Sequence, residues 1–146
     1  MTKADEAVAS FKSGFSCSQA VLSSFSEELG LDRDTANSVA CGFGGGIART
    51  GNICGAVAGA IMVIGMKYGM TRLDDAAARE KTYALVQQFI RDYTAKNGSI
   101  SCPDLLGYDM ADPVQFKEAR EKKVAAQKCP GLVEDAVIIL ERILNE

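Results

Sequence analysis

The chain reads as all-α, a single-domain bundle (residues 1–146) of about six to eight helices packed around a buried central helix at about 53–69. Three observations predict this. No stretch longer than a few residues alternates apolar and polar with period two, whereas apolar residues recur three and four apart along most of the chain. Turn and cap residues punctuate those runs at helix-sized intervals. The run 53–66, ICGAVAGAIMVIGM, carries no charge over fourteen residues. It is too short for a bilayer, which needs about twenty apolar residues, so it is expected inside the bundle. A chain of 146 residues can bury such a core without disulfide support.

In order, Ala7, Val8 and Phe11 mark a short amphipathic first helix. Residues 16–29 place Val21, Leu22, Phe25 and Leu29 at helical spacing, with Ser16 as N-cap, Cys17 in the first turn and Gly30 as the stop. Asp32 caps the next helix, whose apolar face is Ala36, Val39, Ala40 and Phe43. Residues 42–52 hold five glycines and one charge, Arg49. A phosphate cradle would need the order GxxxxGK[ST] and a strand before it, and neither is present. A loop passing close beside packed helices accounts for the glycines. In the central helix Gly55 and Gly59 lie four apart beside Ala56 and Ala60, a smooth stripe for close packing at about 1 kcal/mol of helix propensity per glycine.

A long helix follows, with Tyr83, Val86, Phe89, Ile90 and Tyr93 as its stripe, Asp74 and Asp75 at its N-terminal end and Gly98 as its stop. Cys102-Pro103 opens an irregular segment or short turn, and Asp112-Pro113 starts a Lys- and Glu-rich helix through Lys128. Cys129-Pro130 repeats the Cys-Pro arrangement ahead of a last helix over 131–145, with Val133, Val137, Leu140 and Leu144 on one side.

Composition excludes several function classes. Sixteen basic against nineteen acidic residues give a net charge of −3, with no electrostatic case for nucleic acid or an anionic membrane. The N-terminus lacks a secretion signal and no transmembrane segment is expected, which predicts a cytoplasmic protein. The chain has no histidine, so Ser-His and Cys-His catalysis and histidine metal ligation are absent.

Five cysteines therefore carry the functional signal: Cys17, Cys41, Cys54, Cys102 and Cys129. An odd number without a CxxC pair argues against a disulfide scaffold, a thioredoxin-like motif and a zinc ribbon. Cys17, Cys54, Cys102 and Cys129 each fall just before or within the first turn of a predicted helix, where unpaired N–H groups and the helix dipole favour thiolate. Cys41 falls at a helix C-terminal end, where the dipole opposes thiolate, and reads as a small buried hydrophobe. Cys54 is the expected nucleophile, on the strength of its helix and the nearby Arg49.

The chain also resembles a known family over nearly its whole length. The resemblance rests on FKSGFSCSQAV at 11–21, GFGGG at 42–46, CGAVAG at 54–59, Cys102 followed by DLLG at 104–107, and Cys129 before the last helix. Together these resemble the C_GCAxxG_C_C proteins, redox-active proteins named for four cysteines. The resemblance implies that Cys17, Cys54, Cys102 and Cys129 are the functional cysteines, that Cys41 is extra, and that the activity is redox without defining a reaction.

Three functions fit. In the first, a pair among the four thiols cycles between dithiol and disulfide, needing no cofactor but an unknown redox partner or small-molecule substrate. In the second, Cys17, Cys54, Cys102 and Cys129 bind zinc or an iron–sulfur cluster, although such sites usually contain close ligand pairs. In the third, the protein is a non-catalytic helical binding protein with structural cysteines. Thiol exchange is preferred, because low-pKa cysteines are what it requires, and the oligomeric state stays open.

Overall fold

A computed structural model describes residues 1–145, and among them the backbone forms eight α-helices of five residues or more and no strand. In chain order these are α1 (Lys3–Ser13), α2 (Cys17–Ser26), α3 (Arg33–Ala40), α4 (Gly55–Tyr68), α5 (Ala76–Asn97), α6 (Cys102–Leu106), α7 (Pro113–Glu121) and α8 (Val124–Leu144). None of them is long and apolar enough to cross a membrane. The all-α expectation holds.

The caps explain most boundaries. Thr2 and Asp5 form a capping box at α1, and Ser16 and Gln19 form another at α2. Asp32 accepts from the Thr35 N–H at 3.0 Å, and Asp112 from the Val114 N–H at 3.0 Å with Pro113 at the first helical position. Gly30, Gly98 and Gly107 close their helices in the left-handed conformation that glycine alone adopts without cost.

The central helix is α4. Its first six residues, Gly55 to Ala60, are buried together with Val63 and Ile64. It packs most extensively on α2, and α1 lies along α8. At Gly59 a Cβ would come within 2.8 Å of the Ser18 carbonyl oxygen and 3.1 Å of Val21 Cβ, so the glycine stripe does what close helix packing demands. Phe25, Phe89, Tyr93, Val133 and Leu140 complete the core around it.

Several expectations need correction. The last helix does not begin at residue 131; α8 starts at Val124 and runs through Cys129 and Pro130. An interior proline costs about 3 kcal/mol, but Val124 before it and Leu132, Val133, Ala136, Val137 and Leu140 after it are all buried. Each of the valine and leucine side chains contributes about 1.5–3 kcal/mol on burial, so the core holds the helix together across the break. The charged helix correspondingly ends at Glu121, and Lys123 turns the chain at φ +55°. Cys41 is exposed, in a short 3-10 turn after α3, and is not a buried hydrophobe. Val39 and Tyr83, expected on apolar faces, are 54% and 56% exposed, because α3 and α5 meet the core along narrower stripes, Ala36 and Ala40 in one case and Phe89 and Tyr93 in the other.

Candidate functional site

Two helix starts meet at the site. Cys17 is the first residue of α2, and Cys54 is the residue that caps α4. Their sulfurs lie close enough to perturb each other's acidity. The approach is possible because Gly55 follows Cys54: a Cβ at that position would fall on Cys17 Sγ. The start of α2 is itself pinned. Ser18, fully buried, donates from Oγ to the Ala40 carbonyl at 2.8 Å, and Gln19 Nε2 donates to the Asn37 carbonyl at 3.0 Å, which ties α2 to α3.

The glycine loop supplies the next wall. Gly45, Gly46, Ile47, Ala48 and Arg49 all have positive φ, a run of five left-handed residues. Three of them carry side chains, at roughly 1–2 kcal/mol each, a cost that concentrates at functional sites. The run turns the Gly45 N–H toward Cys17 and carries Arg49 to the site, where its guanidinium lies 5.0 Å from the centre of the Phe116 ring. A Cβ at Gly46 would come within 2.7 Å of Cys102 Cβ, so this glycine lets Cys102 close on the loop.

Cys102 is held to Cys54 by backbone. The Cys54 N–H donates to the Ile100 carbonyl at 2.7 Å and the Cys102 N–H to the Asn52 carbonyl at 2.9 Å, on either side of an isolated antiparallel bridge between Ile53 and Ser101. This bridge brings residues nearly fifty positions apart side by side. Cys129 enters from α8. Cys17, Cys54, Cys102 and Cys129 all line one cavity of about 370 Å³, whose other walls are mainly apolar and whose one charged wall residue is Arg49.

The thiols differ sharply in acidity. Cys17 is lowered from 9.0 to about 6, first by the hydrogen bond from Cys54, against the opposing effect of burial, and further by the N–H groups of Gly45, Ser18 and Cys17 itself. Cys54 moves the other way, well above its ordinary value, through its hydrogen bond to Cys17, then burial, then repulsion by the Cys17 charge. The two thiols titrate as a coupled pair, with thiolate favoured on Cys17 and the proton favoured on Cys54. Burial pushes Cys102 up to about 11 and Cys129 up to about 12, each reinforced by the Cys17 charge. Helix position alone predicts a lowered thiol at both; here Cys17 is lowered and Cys54 is raised. Arg49 is not among the causes of either shift.

Behind Cys54 lies Tyr93, fully buried, its hydroxyl 3.9 Å from Cys54 Sγ and donating to the Leu132 carbonyl at 3.4 Å. Burial and the neighbouring Cys54 hold this phenol well above its usual range, so it stays a proton donor. Sequence periodicity marked Tyr93 only as core.

Three of the four cysteines stand at helix starts as expected; Cys129 does not, because α8 begins five residues before it. Sharing one cavity is not the same as converging on one point. Among the described residues no three cysteine or acidic side chains lie close enough together to hold a metal ion.

A family model described as "Putative redox-active protein (C_GCAxxG_C_C)" matches residues 15–143. No curated protein and no solved structure matches the chain.

Proposed function

Because the chain belongs to the C_GCAxxG_C_C family, whose description is redox-active, we propose that it carries out thiol–disulfide exchange with Cys17 as the attacking thiolate and Cys54 as the resolving thiol. One observation carries this: two neighbouring thiols at helix starts are pushed in opposite directions, Cys17 toward thiolate and Cys54 toward the protonated form.

The cycle follows from that asymmetry. Cys17 thiolate attacks one sulfur of a disulfide RS–SR′, forming Cys17–S–S–R and releasing R′S⁻. Neutralising Cys17 removes two of the three causes that raise Cys54, the hydrogen bond to a thiolate and the repulsion by it. The N–H groups of Ala56 and Val57 then favour Cys54 thiolate, and the Tyr93 hydroxyl can turn its proton from the Leu132 carbonyl toward Cys54 Sγ. Cys54 loses its proton to the departing thiolate or to water and attacks Cys17 Sγ. RS⁻ leaves and a Cys17–Cys54 disulfide forms, so two electrons pass from the protein to the substrate. A dithiol reductant returns them by the reverse path. Cys102 and Cys129 face the same cavity, and burial raises both, so they react after Cys17.

The test is a trapping experiment. Cys54→Ser protein treated with a small disulfide should accumulate a mixed disulfide on Cys17, detected by intact mass and peptide mapping, and Cys17→Ser should accumulate none at Cys54. Mild oxidation of the unaltered protein should remove two thiols first, Cys17 and Cys54. Mixed disulfide forming preferentially on Cys54, or first loss of Cys102 and Cys129, would overturn the assignment.

A further inference from the structure

A second cavity adjoins the thiol cavity and shares Arg49, Met110, Phe116 and Ala125 with it as wall residues. Its charged lining is Arg49, Arg120 and Lys123, and no acidic residue lines it. In a chain of net charge −3 this is a local concentration of positive charge. Among the described residues five cations elsewhere pair with carboxylates, among them Lys3 with Glu28, Arg33 with Glu27, Lys96 with Asp135 and Lys122 with Glu118, and the other cations do not. Arg49, Arg120 and Lys123 take part in none of the ion pairs among the described residues. Two of them, Arg49 and Lys123, are also among the four non-glycine residues with left-handed backbone, on separate loops that meet at this opening. Both loops thus carry left-handed backbone where their cations line the opening.

We propose that the substrate entering the thiol cavity is a small disulfide bearing an anionic group, its sulfur end in the apolar chamber beside Cys17 and its carboxylate or phosphate between Arg49, Arg120 and Lys123. The proposal rests on the exchange chemistry above and names its substrate class. The geometry divides the ligand in two: an apolar chamber, about 370 Å³, suits the sulfur and its methylenes, and the cationic mouth fixes the other end. The chemistry is unchanged, RS–SR′ giving RS⁻ and R′S⁻ while Cys17 and Cys54 form their disulfide.

The test compares 3,3′-dithiodipropionate, a dianionic disulfide, with the uncharged 2-hydroxyethyl disulfide as oxidants of the reduced protein. The quantity read is the ratio of their second-order rate constants at Cys17. Removing two charges with Arg120→Gln/Lys123→Asn should lower that ratio about tenfold at low salt, since two exposed pairings are lost. Arg79→Gln/Lys81→Gln, which removes the same charge from outside both cavities, should leave the ratio unchanged. Asparagine is chosen at Lys123 because it tolerates a left-handed backbone. A ratio unaffected by the first pair, or lowered equally by the second, overturns the anionic substrate and leaves thiol exchange standing. If neither disulfide oxidises Cys17, the exchange chemistry fails instead. The cationic mouth is then judged by alkylation, where the iodoacetate-to-iodoacetamide rate ratio at Cys17 should fall in Arg120→Gln/Lys123→Asn and an unchanged ratio would reject it.

Discussion

Iodoacetamide alkylation of the folded, reduced protein is expected to modify Cys17 before Cys54, Cys102 and Cys129, with a rate that reaches half its maximum near pH 6. The pH profile is the informative part. A thiol lowered from 9.0 to about 6 is ~90% thiolate at pH 7 against ~1% for an ordinary one, roughly a ninetyfold gain. A less basic thiolate is also a weaker nucleophile, by roughly twentyfold over three units, so the net advantage at pH 7 is only about fourfold. At pH 6 it grows to about twentyfold, because the ordinary thiol has lost most of its thiolate. Cys17 should therefore stand out most in mild acid. A Cys17 profile with its midpoint near pH 9 would remove the basis for its role.

The same shift sets a stability profile. Cys17 is an acid whose folded pKa lies below its unfolded value, so its contribution is present above pH 9 and lost as pH falls through about 6. Cys54 is raised, so its contribution is present below 9 and lost above it. Together they make stability rise between pH 6 and 9, by up to about 1.4 kcal/mol per unit, and fall beyond. Urea denaturation across pH 6–10 should show the rise in the unaltered protein and its absence in Cys17→Ser.

The fold was legible because its signals are local. Ser16, Asp32, Gly30, Gly98 and the Asp112-Pro113 pair cap or end helices by chemistry confined to a few residues, and each does so here. What misled was also local. Pro130 reads as a helix start, yet the burial of Val124 and of the aliphatic row from Leu132 onward carries α8 across it, a tertiary effect that local rules cannot weigh. Helix position alone made Cys54 and Cys17 equivalent, and the strength of the Cys54 helix together with the nearby Arg49 tipped the choice toward Cys54. The deciding terms are the contact between the two sulfurs and the Gly45 N–H, both of which exist only once α2, α4 and the glycine loop have met. One signal for that meeting was present in the sequence. A glycine immediately after a cap cysteine costs helix propensity, and it clears the space that Cys17 Sγ fills.

Alanine at Gly55 should accordingly be among the most damaging single-methyl changes in α4, and alanine at Gly65 should be stabilising. Both glycines lie in the same helix, Gly65 in its interior, where alanine gains about 1 kcal/mol of helix propensity, and Gly55 at its first position, where the gain is at most that. They differ in surroundings. At Gly65 nothing lies within 4 Å of an added Cβ, so the gain is kept and stability should rise by about 0.5–1 kcal/mol. At Gly55 the Cβ would fall on Cys17 Sγ and stand 3.0 Å from the Phe43 carbonyl oxygen and 3.2 Å from the Ser18 nitrogen. Two of these three neighbours are backbone and cannot swing aside, so overpacking of about 1–3 kcal/mol, toward its upper end, should exceed the propensity gain. The two variants should therefore differ by about 2–3 kcal/mol in urea denaturation of reduced protein at pH 7, with unchanged m values. Gly55→Ala should also push the Cys17 sulfur from Cys54, raising the midpoint of its alkylation profile from about 6 toward 9.0, while Gly65→Ala leaves that midpoint in place. Equal stabilities and an unshifted Cys17 profile in Gly55→Ala would mean that the two sulfurs do not meet over this glycine.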